Sequence, residues 1–109
     1  MTYDEGLAAR AAEVLADTPG LVEKRMFGGI GYLVDGNMAC GVHGDGLIVR
    51  VGPDAYESNL SEPYTREFDL TGHPMRGWIV VEPAGYADEA SLADWVSRGV
   101  AFARTLPAK

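Results

Sequence analysis

The stretch "KRMFGGIGYLVDGNMACGVHGDGLIVRV" (residues 24–51) decides the fold, because it sets glycines at 28, 29, 31, 36, 41, 44 and 46 between apolar runs. Such a stretch either cradles a phosphate or builds a sheet. A dinucleotide fingerprint needs Gly-x-Gly-x-x-Gly between a strand and a helix. Gly29-Ile30-Gly31 supplies the first half, but Val34 stands at the third glycine position, and no Gly-Lys-Ser/Thr motif is present. Directly after Val34 comes Asp35-Gly36, a hairpin signal, since a type I′ turn needs positive φ at both central residues. A turn there pairs Val34 with Asn37, Leu33 with Met38, Tyr32 with Ala39 and Gly31 with Cys40. Asp45-Gly46 predicts a second hairpin, pairing Gly44 with Leu47, His43 with Ile48 and Val42 with Val49.

In this register Leu33, Met38, Cys40, Val42, Leu47, Val49 and Val51 share one face, together with Gly29 and Gly31. Helices are expected there, with the glycines allowing close approach. Ile30, Tyr32, Val34, Ala39, Gly41, His43, Ile48 and Arg50 fall on the opposite face.

Outward from this meander, Thr2-Tyr3-Asp4-Glu5 has the form of a capping box. Leu7, Ala11, Val14 and Leu15 then lie on one helical face, and Pro19-Gly20 stops a helix of about 12–14 residues. Gly52-Pro53-Asp54 starts a short helix carrying Tyr56 and Leu60, closed by Glu62-Pro63. Residues 66–70 and 77–82 read as strands joined by 71–76. Asp88 caps a last helix on which Leu92, Trp95, Val96, Gly99, Phe102, Ala103 and Leu106 recur at helical spacing. The expected fold is a two-layer α+β domain of order α-β-β-β-α-β-β-α. Its five-stranded, largely antiparallel sheet carries helices on one face.

The chain's 109 residues suit a single domain over 1–109. Hydrophobic residues make up 47% and charged residues 23%, a globular composition. One cysteine, Cys40, leaves no internal disulfide and fits a reducing compartment. The N-terminus lacks a basic segment followed by an apolar one, so no signal peptide is expected. The longest strongly apolar run, at 78–81, is far below the roughly 20 residues that span a bilayer. A soluble, cytoplasmic protein without membrane contact is expected. Sixteen acidic against nine basic residues give a net charge of −7, which argues against direct nucleic-acid binding.

No catalytic constellation, metal site or cofactor motif emerges. Cys40 and His43 are three apart in a strand and project to opposite faces. Met38 and Cys40 lie on the face the helices should cover, and His73-Pro74-Met75 offers only two ligand types. The candidate surface is the second sheet face with the loop beside it: Ile30, Tyr32, Ile48, Arg50, His73 and Arg76. The first reading is a non-enzymatic module that acts on a protein partner, or on a second copy of the chain through this face or the last helix. The alternative is a small-molecule or metal-binding domain, or an unrecognised enzyme. Its pocket would lie between loops 28–31 and 72–77, lined by His73, Arg76 and Arg50.

"KRMFGGIGYLVDGNMACGV", "DGLIVRVGPDAYE", "FDLTGHPMRGWIVVEP" and the terminal "WVSRGVAFARTLP" together resemble the N-terminal domain family of TfoX/Sxy. The most characteristic pieces are Met26-Phe27-Gly28-Gly29 and the Gly-His-Pro-Met-Arg-Gly segment at 72–77. The similarity extends from about Lys24 to Pro107, as in a stand-alone single-domain member. It implies an α-β(3)-α-β(2)-α fold like that of secretion chaperones. It also implies a bacterial setting and a tie to competence regulation, in which full-length members act as coactivators beside the cyclic-AMP receptor protein. The resemblance brings no catalytic residues with it.

Overall fold

A computed structural model describes residues 3–26, 28–69 and 72–109. Helix α1 spans Glu5–Leu15, and the Asp4 carboxylate caps it by accepting from the Leu7 amide at 3.1 Å. The expected cap at Thr2 lies outside the described residues. Leu7, Ala8, Ala11 and Leu15 form its buried stripe. Four strands come next in a continuous meander: β1 Leu21–Met26, β2 Gly29–Val34, β3 Asn37–His43 and β4 Gly46–Arg50. Helix α2 (Tyr56–Leu60), β5 (Thr65–Glu67), β6 (Trp78–Val81), a 3-10 turn at Pro83–Gly85 and α3 (Glu89–Ala103) complete the chain.

The sheet has six antiparallel strands in the order β1-β2-β3-β4-β6-β5, one more than expected. The additional strand is β1, a mostly exposed margin without apolar alternation. The three helices lie on one face. Leu7, Leu15, Tyr56, Leu92, Trp95 and Val96 from the helices enclose Tyr32, Cys40, Val42, Leu47, Val49, Ile79 and Val81 from the sheet.

The Asp35-Gly36 turn forms as expected, with φ of 53° and 86°, and pairs Val34 with Asn37 and Leu33 with Met38. Beyond it the register departs from simple alternation. Tyr32 pairs with Cys40 instead of Ala39, and Gly31 with Gly41 instead of Cys40, because a β-bulge adds one residue to β3. Ala39 and Cys40 therefore both pack on the helix side. Along β2, Ile30, Tyr32 and Val34 also pack on the helix side, the reverse of the expected assignment. Leu33 and Met38 turn outward with the pair they form.

The second turn is also displaced by one residue. His43 pairs with Gly46, Val42 with Leu47 and Gly41 with Ile48, so Gly44 and Asp45 are the central residues. Gly44 supplies the positive φ of 59°. The turn is held from outside: the Asp4 amide donates to the Gly44 carbonyl at 2.7 Å and the Tyr86 hydroxyl to the Asp45 carbonyl.

The glycines at 29 and 31 are not where a helix packs close. A Cβ on Gly31 would meet the methyl ends of Met26 and Met38 on the outer face. The close helix approach is made by Gly99 of α3, whose missing side chain leaves room for the Ala39 carbonyl at the bulge.

Candidate functional site

With the helices on one side, the opposite face of the sheet is the surface to read for function. It divides into two halves. Across β4, β6 and the end of β5, Ile48, Val80 and Phe68 form a small buried cluster flanked by Met38 and Trp78. The stretch before β6 is tied back to Phe68 here. Its Met75 amide donates to the Phe68 carbonyl and the Trp78 amide to the Met75 carbonyl, both at 3.0 Å. The Phe68 and Trp78 rings lie 6.3 Å apart in a tilted arrangement.

This half contains a cavity of about 210 Å³ lined by His43, Ile48, Arg66, Phe68, Asp69 and Val80. Arg66 stands opposite Val80 on β5, and its Nε lies 3.6 Å from the Glu82 carboxylate. Its guanidinium reaches over β6 towards Gly46, where a Cβ would come within 3.7 Å of it and collide with Val80. His43 is the strand partner of Gly46. The absence of a side chain at 46 thus lets the Val80 side chain pack against the β4 backbone, beside His43 and Arg66.

The other half lies over β1 to β3. Met26 and Met38 cover Gly31 and Gly41 there, and Val22, paired with Leu33, is 57% exposed. Strand β1 is the sheet's margin, and among the described strands it pairs with β2 alone.

The residues expected to form one surface are distributed over separate places. Ile30 and Tyr32 belong to the helix-side core, where the Tyr32 hydroxyl donates to the Ala8 carbonyl at 2.8 Å. Burial, with Glu23 and Cys40 nearby, pushes the Tyr32 phenol well above its ordinary range. Ile48 is on the outer face, in the cavity floor. Arg50 is clamped between aromatic rings, 4.9 Å from Trp78 and 5.4 Å from Phe102, and burial lowers its pKa. Arg76 leans on the Tyr56 ring at 5.6 Å and pairs with Glu57 at 3.8 Å. His73 is exposed in the segment before β6. The cavity's polar residues His43, Arg66 and Asp69 are not marked as a group by any sequence motif. The only local hint is Arg66 and Phe68, two apart and able to share a strand face.

Two further grooves lie among the helices. One of about 270 Å³ runs between α1 and α3 along Val14, Leu15, Val96 and Val100. Another of about 340 Å³ lies between α2 and α3 beside Arg98 and Phe102. None of these three cavities is lined by residues 28–31 or 72–77. Arg98 is committed to structure: it donates to Asn59, Glu62 and Asp94 and stacks on Trp95 at 4.1 Å.

Cys40 is fully buried, and burial pushes its thiol up to about 12, so it holds no ready thiolate. Among the described residues no three His, Cys, Asp or Glu side chains are grouped to hold a metal ion. No helix among them is long and apolar enough to cross a membrane.

No curated protein and no solved structure matches the chain. Residues 13–103 match the family model described as the TfoX N-terminal domain, a span from within α1 to the end of α3 that takes in every strand of the sheet. A match of that extent makes the assignment: this chain belongs to the TfoX N-terminal domain family.

Proposed function

We propose that this domain is a non-enzymatic regulatory module that works through protein contact, and that the contact it favours is a second copy of itself joined along β1. The observation that carries this reading is the composition of that margin. Leu21–Met26 is six residues long, contains no proline, and has no neighbouring strand on its outer edge among the described residues. Such an edge is a template for another strand, and the charges at 23–25 restrict it to a strand of complementary charge.

The side chains of β1 also complement themselves. Antiparallel pairing about a two-fold axis at Lys24 places Glu23 opposite the partner subunit's Arg25, twice by symmetry. The same register places Val22 opposite the partner subunit's Met26, joining the apolar strips of the two outer faces. Opposed charges and apolar pairs across strands each contribute about 0.2–1 kcal/mol. The two Lys24 side chains meet at the axis, a like-charge pair that opposes the contact and whose long exposed stems can splay apart. One strand pair covers less than the roughly 1,200–2,000 Å² of a standard interface, so the dimer is concentration-dependent.

Sedimentation velocity from about 10 μM to about 1 mM protein tests the reading. The wild type should shift from monomer towards dimer. Glu23→Arg should weaken association about tenfold, and Glu23→Arg combined with Arg25→Glu should restore it. A wild type that stays monomeric throughout, or a double variant no better than the single one, would remove the β1 dimer.

A further inference from the structure

The cavity on the other half of the outer face is separate from β1, and its chemistry is that of a ligand site. We propose that it binds a small aliphatic carboxylate carrying a hydrogen-bond donor at its far end, the ω-amino acid class. The floor is apolar: Ile48 and Val80 are 5% and 3% exposed, and Phe68 forms a wall at 8%. The polar groups sit at two ends. Strand register sets the row Gly41, Ile48, Val80, Arg66 across the sheet, and His43 beside Gly46 on the turn side of that row. Phe68 and Asp69 continue β5 in the opposite direction, towards Trp78.

One end therefore offers the Arg66 guanidinium and the His43 imidazole, a donor pair suited to a carboxylate. The other end offers the Asp69 carboxylate, which accepts from an ammonium or hydroxyl and repels a second negative charge. Between them Ile48 and Val80 give a short aliphatic chain an apolar bed. Gly46 contributes indirectly, since a Cβ there would strike Val80 and push that part of the bed out of place. About 210 Å³ accommodates a chain of a few carbons. Glu82, 3.6 Å from Arg66, already shares the guanidinium, so a bound carboxylate competes with it for those donors and gains most from the His43 side of the pair.

The test is a titration of the ¹⁵N-labelled domain with 5-aminovalerate, valerate, glutarate and pentylamine, monitored by amide chemical shifts. The expected result is saturable shifts confined to His43, Gly46–Ile48, Arg66–Asp69 and Val80. Affinity should fall from 5-aminovalerate to valerate to glutarate, with pentylamine weakest. Arg66→Gln should lose at least tenfold for both 5-aminovalerate and valerate, and Asp69→Asn should abolish the preference of 5-aminovalerate over valerate. Both substitutions are at the exposed rim, and unchanged spectra elsewhere verify the fold. The proposal is overturned by no saturable shift at millimolar ligand, by shifts centred on the helix-side grooves, or by an Arg66→Gln variant that binds as well as the wild type.

Discussion

Gly99 illustrates how one residue sets the distance between the two layers. In an exposed helix interior, replacing glycine by alanine gains up to about 1 kcal/mol through backbone entropy. In α3 the added Cβ would run into the Ala39 carbonyl, a backbone atom that cannot swing aside. The steric effect wins, so Gly99→Ala is expected to destabilise the domain by about 1–3 kcal/mol in urea unfolding. Stability equal to or above that of the wild type would mean that α3 slides freely over β3. Tyr32 makes a complementary point: a phenol that strand alternation assigns to an open surface is fully buried, its hydroxyl bonded to the Ala8 carbonyl. One extra residue in β3 accounts for the difference, because side-chain direction alternates with every position.

At the level of elements, the last helix begins where the sequence says it should. The Asp88 carboxylate accepts from the Ser91 amide at 3.0 Å, and this bond holds its pKa below the ordinary 3.8. A carboxyl whose pKa is lower in the folded state stabilises it above the unfolded pKa and loses that contribution as pH falls through the folded value. The melting temperature of the wild type should therefore drop more steeply below pH about 4 than that of Asp88→Asn, which keeps an acceptor but no titration. Parallel acid limbs would show that the cap charge is irrelevant. Caps and tight turns such as Asp88 and Asp35-Gly36 are legible because a few adjacent residues determine them. Strand β1 is not legible, since Leu21–Met26 is mostly exposed and carries no period. The bulge at Ala39 is not legible either, because it answers to the docking of α3 some sixty residues away in sequence. The cavity is hidden for the same reason: His43 and Arg66 share it only because β6 inserts between β4 and β5.

At the level of the whole molecule, arginines tie distant segments of the helical layer together. Arg10 of α1 bonds Glu89 and the Tyr86 and Ala87 carbonyls, while Arg98 of α3 gathers Asn59 and Glu62. The tail after α3 is fastened to the β2–β3 turn, where buried Asn37 donates to the Pro107 carbonyl and the Lys109 amide to that of Asp35. The sheet itself divides into a local part and a distant part. Strands β1 to β4 are joined by tight turns, whereas β4 waits for β6, with Arg50 opposite Trp78 and a helix and a strand intervening in the chain. Hairpins close in about 1–10 μs, while pairings of high sequence separation come later. Pulsed hydrogen exchange during refolding should find β2 and β3 amides protected before those of β6, and simultaneous protection would contradict this order. Without β6, β4 would be a second raw margin of the sheet. The bed of Ile48 and Val80 exists only where β4 and β6 are paired, so the cavity reports on that one distant contact.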